Sequence, residues 1–103
     1  MTMMLHTVNK SPFERNALAG CLRLAAEGSA VLLIEDAVVG AVKGSSFEET
    51  LTNAMTRVSV SVLGPDLAAR GLDEDKLIDG IQVVDYAGFV DLTAEHDAVQ
   101  SWL

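Results

Sequence analysis

Ala30-Val31-Leu32-Leu33-Ile34 is an unbroken aliphatic run, closed by Glu35-Asp36. A strand with one wet face alternates apolar and polar residues, whereas a strand covered on both faces can be apolar throughout. The run therefore predicts a strand inside a parallel sheet with helices on both sides. Upstream, Met3 to Val8 reads as a first strand, and Ser11-Pro12-Phe13-Glu14 follows as a helix start. There Ser11 can cap, Pro12 suits the first helical position, and Glu14 completes a capping box. Leu18, Cys21, Leu22 and Ala25 then recur on one helical face, and Gly28 supplies a left-handed stop.

Downstream, Glu35 to about Val42 reads as a short helix, and the stretch from Ser45 to about Ala54 as another. Arg57 to Leu63 alternates Val58, Val60 and Val62 with Ser59 and Ser61, the pattern of a third strand. Gly64-Pro65-Asp66 opens a brief helix, Asp66 to Arg70, which Gly71 stops. Asp73-Glu74-Asp75-Lys76 is a charged connection, and Ile81 to Val84 a fourth strand. Asp85 caps a last helix, about Tyr86 to His96, and Trp102 must fold back or meet a neighbour. Strands alternating with helices define a single three-layer α/β domain over residues 1–103, with a mainly parallel sheet of four or five strands.

A domain of 103 residues leaves much surface to cover, yet half of these residues are hydrophobic. The mean hydropathy is +0.30. That excess predicts association with other chains. The net charge is −8, and all of it lies in the second half. Residues 1–44 carry four basic and four acidic side chains, residues 45–103 three basic and eleven acidic. A chain that binds nucleic acid by itself needs a basic footprint to displace counterions, and none is present. No apolar segment is long enough to span a bilayer, the amino terminus lacks a signal-peptide pattern, and a single cysteine disfavours a disulfide scaffold. A cytoplasmic location is the expectation.

The residue types offer little chemistry. The loop Asn9-Lys10-Ser11 could hold an anion at a helix start, but it lacks the glycines that wrap a pyrophosphate. Asp36 and Asp85 fall at the carboxyl ends of strands, where helix caps belong, and nothing in their spacing demands an acid–base or metal pair. His6 is a base or a hydrogen-bonded histidine at a strand end, and His96 sits in a polar stretch. No metal-ligand spacing and no cofactor motif occur in the sequence. Cys21, the sole thiol, has Ala17, Leu18, Leu24 and Ala25 as its helical neighbours, with no cation to lower its pKa. Counted from Pro12 it is the tenth helical residue, far from the helix N-terminus. Packing and sulfur chemistry both remain open for it.

Several dispersed motifs resemble the DsrH/TusB family. They are Met4-Leu5-His6-Thr7-Val8-Asn9-Lys10-Ser11-Pro12-Phe13, the segment Leu32 to Val42, and Gly64-Pro65-Asp66-Leu67-Ala68-Ala69-Arg70-Gly71. Val84-Asp85-Tyr86-Ala87-Gly88-Phe89-Val90-Asp91-Leu92-Thr93 and Val99-Gln100-Ser101-Trp102-Leu103 complete the likeness. Cys21 and the second-half motifs place it nearer the DsrH branch than the TusB branch, with Met1 to Met3 as a short extension. The resemblance implies a DsrE/DsrF/DsrH-like fold and a place in a cytoplasmic heterohexamer, with DsrE-like and DsrF-like (TusD-like and TusC-like) subunits. It also implies a sulfur carrier resembling DsrC or TusE as the downstream partner. In that setting the chain is a non-catalytic or accessory sulfurtransferase subunit of dissimilatory sulfur oxidation, and Cys21 a secondary persulfide acceptor. The alternative is a TusB-like role in 2-thiolation of the tRNA wobble uridine. A free-standing small-molecule binding domain is what the fold class alone would allow. Trp102, Phe89 and Phe47 are the aromatics expected to anchor either an interface or the core.

Overall fold

Strand β1 (Met4–Val8) is the spine of the molecule, with β2 (Ala30–Leu33) on one side and β5 (Ala98–Trp102) on the other. The computed structural model describes residues 3–103. Beyond β2 lie β3 (Ser59–Leu63) and β4 (Gln82–Val84), so the sheet order is β4-β3-β2-β1-β5, and every pairing is parallel. All four residues of β2 are buried, as an unbroken aliphatic run requires.

The handedness of parallel crossovers decides which helix covers which face. The chain steps from β1 to β4 in one direction, and α1 (Ala17–Leu24), the 3-10 segment Glu35–Ala41, α2 (Glu48–Ala54) and α3 (Gly64–Ala69) pack on one side. From β4 the chain reverses to reach the far side of β1, which puts α4 (Tyr86–Glu95) on the opposite face. Two unequal cores result. Among the described residues the first joins eighteen buried side chains, including Val8, Leu18, Cys21, Val31, Leu33, Val38, Leu51, Val60, Val62 and Leu67. The second joins three, Leu5, Ala30 and Leu32, with Ile34, Val84, Phe89 and Leu92 packed against them.

Several local readings need correction. Residues Pro12 to Glu14 form a single turn, and α1 begins only at Ala17. Ser11 still caps, accepting the Phe13 N–H at 3.2 Å on Oγ and the Glu14 and Arg15 N–H groups on its carbonyl. The Pro12 ring of this turn is pressed against Gly40 of the 3-10 segment, where a β-carbon would lie 2.7 Å from Cγ. At the other end α1 stops at Leu24, before Gly28. Gly28, with φ +89°, instead turns the chain into β2. The orphan carbonyls of α1 are met from afar, by Arg57 donating to Ala25 O at 2.8 Å and to Leu22 O. The charged connection holds a short 3-10 turn, Glu74–Lys76, after which Leu77 and Ile78 plug the main core. Finally, residues Ala98–Trp102 form a fifth strand, in register from Met4↔Ala98 to Val8↔Trp102.

The Pro12–Gly40 contact makes a measurable claim. Gly40→Ala should cost about 1–3 kcal/mol, because the proline ring cannot swing aside as a flexible side chain can. Urea unfolding with a midpoint equal to wild type would contradict the close approach.

Candidate functional site

In open parallel sheets, ligands collect outside the carboxyl ends of the strands. The groups gathered there are mostly committed to holding backbone. The Asp36 carboxylate accepts from Arg70, Nη2 at 2.8 Å and Nε at 3.2 Å, and Arg70 Nη1 also donates to Asp66 O at 3.1 Å. Asp66 Oδ2 in turn accepts the Glu35 N–H at 2.6 Å. That bond fastens the end of β2, where Glu35 has φ +50°, a left-handed conformation uncommon outside glycine. Asp85 Oδ1 accepts the Gly88 N–H at 2.7 Å and so caps α4 as its position predicts. Asp36 and Asp85 are thus held on different elements by different partners, and the structure does not pair them. The loop Asn9-Lys10-Ser11 leaves Lys10 exposed and spends its following amides on Ser11 itself. The Asn9 side-chain oxygen is shut off from solvent with no hydrogen-bond partner among the described residues.

Cys21 lies in the middle of α1, its fifth residue once the helix is counted from Ala17. It is fully buried in the main core. Burial pushes the thiol pKa up to about 12. At neutral pH the reactive thiolate is then on the order of one in a hundred thousand. Neither access nor ionisation favours attack on a sulfur donor.

The functional pairing that sequence reasoning missed is between His6 and Trp102, 96 residues apart. Trp102 Nε1 donates to His6 Nδ1 at 3.0 Å, and the ring lies over Gly20 of α1, where a β-carbon would sit 3.6 Å from Cζ3. His6 is only 4% exposed, and burial lowers its pKa. The imidazole is therefore a neutral acceptor that clamps the edge strand β5 to β1. A second tie, Thr7 Oγ1 to Ser101 Oγ at 3.3 Å, acts on the other face. His96 Nδ1 lies 2.6 Å from Leu92 O and finishes α4. Trp102 and Phe47 pack against the main core, and Phe89 against the smaller one, all three partly buried. The large apolar side chains left exposed are others: Met3, Phe13, Leu24, Tyr86, Val90, Val99 and Leu103.

A surface cleft opens at the amino ends of β3 and β4, lined by residues including Met55, Arg57, Ser59, Asp79 and Gln82. It lies away from the ligand-binding end of the sheet, and its cation Arg57 is engaged with α1. Among the described residues no three His, Cys, Asp or Glu side chains converge. No helix of the described chain is long and apolar enough to cross a membrane.

Fold and site together define a small, all-parallel α/β domain whose strand-end carboxylates Asp36, Asp66 and Asp85 hold structure. The chain belongs to the DsrH/TusB family. The model of the DsrH-like proteins matches residues 10–99. The proteins named TusB from Shigella flexneri and Escherichia coli are each 40% identical over 99 residues, which covers 96% of this chain and all of each relative. Two solved structures share the fold. The ychN protein from E. coli superposes with a TM-score of 0.85 at 22% identity, covering 99% of this chain and all of that one. A protein of unknown function from Methanobacterium thermoautotrophicum gives 0.76 at 17% identity, over 98% of this chain and 99% of that one.

Two measurements follow from this geometry. In the native protein, a thiol reagent such as DTNB should leave Cys21 untouched over a period in which the urea-unfolded chain reacts completely. Prompt reaction of the folded protein would contradict the buried, protonated thiol. For His6 the folded pKa lies below the unfolded value of 6.5. The contribution of its neutral form to stability is then whole above that value and declines as pH falls below it. The urea midpoint of wild type should drop more between about pH 7.5 and 5.5 than that of His6→Asn, which has no imidazole to protonate. Equal pH dependence in both proteins would rule out a buried, neutral His6.

Proposed function

We propose that this chain is a structural subunit of a cytoplasmic sulfur-relay assembly whose sulfane sulfur is carried by a cysteine on a companion chain. Family membership over residues 10–99 is the observation that carries this reading. The chemistry agrees with it. Persulfide transfer begins with a thiolate attacking a sulfane sulfur, and the one thiol here is buried and protonated. Cys21 then contributes packing, and a role as secondary acceptor would require the main core to open. The companions on this reading are a DsrE-like (TusD-like) and a DsrF-like (TusC-like) subunit, two copies of each chain making a heterohexamer. A carrier resembling DsrC or TusE receives the sulfur. The acidic surface is consistent with RNA, where it is involved, being handled by another protein.

Two destinations for the sulfur remain, and one observation weighs between them. The full-length relatives at 40% identity carry the TusB name. That favours 2-thiolation of the tRNA wobble uridine over dissimilatory sulfur oxidation, the branch to which the motifs of the second half point.

Deletion of the encoding gene should abolish 2-thiouridine in total tRNA, read by nucleoside mass spectrometry, and both wild type and Cys21→Ala should restore it. Normal 2-thiouridine in the deletion strain, together with lost oxidation of reduced sulfur, would move the chain to the other branch. Failure of Cys21→Ala to restore a phenotype that wild type restores would overturn the structural role.

A further inference from the structure

Helix α4, Tyr86-Ala87-Gly88-Phe89-Val90-Asp91-Leu92-Thr93-Ala94-Glu95, holds only two charged residues, Asp91 and Glu95. Phe89 and Leu92 turn inward onto Leu5, Ala30 and Leu32. Tyr86 and Val90, one helical turn apart, stand on the outside, 61% and 65% exposed. Ala87 and Ala94 are exposed with them, and no residue of the helix is buried. A helix with apolar residues on its outer as well as its inner side has the pattern of one packed on both sides. The outer stripe here is bare.

The charges around it are of one sign. From Leu77 to Leu103 the chain has five carboxylates (Asp79, Asp85, Asp91, Glu95, Asp97) and neither lysine nor arginine. Asp91 and Glu95, again one turn apart, run beside the stripe and are exposed. The opposite layer differs: exposed Leu24 follows Arg23 in sequence, and exposed Phe13 lies two residues before Arg15.

We propose that the outer side of α4, centred on Tyr86 and Val90, docks a protein partner that presents lysine and arginine residues around an apolar patch. Apolar burial supplies the affinity, with the tyrosine as an anchor of the kind that dominates interfaces. The carboxylates steer a basic surface in and set its orientation. They also disfavour two other occupants. A second copy packed by two-fold symmetry would bring Asp91 and Glu95 against the same carboxylates, and nucleic acid would be repelled.

The inference rests on the relay reading for the identity of the partner, which is one of the companion subunits. The test co-expresses the chain with its DsrE-like and DsrF-like companions and reads assembly by native mass spectrometry and by salt-dependent affinity. Wild type should assemble, and its affinity should fall as salt is raised. Val90→Asp should weaken assembly by about tenfold or more, as should the charge-reversed pair Asp91→Lys with Glu95→Lys. Leu24→Asp on the opposite layer should assemble normally. Circular dichroism should show all variants folded, since each change is at an exposed position. Normal assembly of both α4 variants would overturn the docking surface while leaving the relay reading intact. Failure of wild type to assemble with either companion would overturn both, and a homodimer disrupted by Val90→Asp would overturn the basic partner.

Discussion

The burial of one face of a parallel sheet under three helices and a 3-10 segment is the constraint on which the rest of this molecule depends. That face takes Val8, Val31, Leu33, Val60 and Val62 from the strands and Leu18, Cys21, Leu22, Val38, Leu51 and Leu67 from the layer above. Close packing there leaves little freedom. Gly40 leaves room for Pro12, and Arg57 reaches from the turn after α2 to finish α1. The same packing closes the thiol off from solvent and raises its pKa. A cysteine in such an interior behaves as a small apolar residue, and its proton is held by the absence of water.

The opposite face is built on weaker terms. Its sheet surface mixes Leu5, Ala30 and Leu32 with Thr7, Ser61 and Ser101, and α4 covers it without burying any residue of its own. Its far edge, β5, depends on pairing to β1 and on two side-chain ties, Trp102 to His6 and Thr7 to Ser101. An apolar composition and a positive mean hydropathy fit a domain that satisfies one face alone and leaves part of the other to a neighbour. On the reading proposed above, a chain whose sole thiol is buried but which offers a one-signed, partly apolar surface is suited to holding another subunit in place.

The parts of this architecture that were legible in the sequence are those set by short-range chemistry. The aliphatic run at Ala30 to Leu33 and the Val/Ser alternation of β3 read as strands because burial dictates those patterns locally. Asp85 read as a cap because the α4 start is self-contained. What stayed hidden depends on partners distant in the chain. Ser11 caps only a single turn, packed through Pro12 on Gly40, and α1 ends before Gly28 with Arg57 on its last carbonyls. Strand β5 carries no alternating pattern, since it is an edge strand whose Val99, Gln100 and Ser101 remain exposed. The His6–Trp102 bond spans 96 positions, and nothing at either end signals the other. At the candidate site, the lack of a cation beside Cys21 within its own helix was readable, whereas its complete burial and the engagement of Asp36 by Arg70 were not.

Hydrogen–deuterium exchange tests the central claim most directly, because it reports each layer of the fold separately. In the isolated chain, amides of α4 and β5 should exchange much faster than those of β1, β2 and β3. Mixing with the companion subunits should slow α4 selectively and leave the already protected strands unchanged. If α4 is as protected as the central strands in the chain alone, or if assembly protects the α1 layer and leaves α4 untouched, the one-sided account of this domain is wrong.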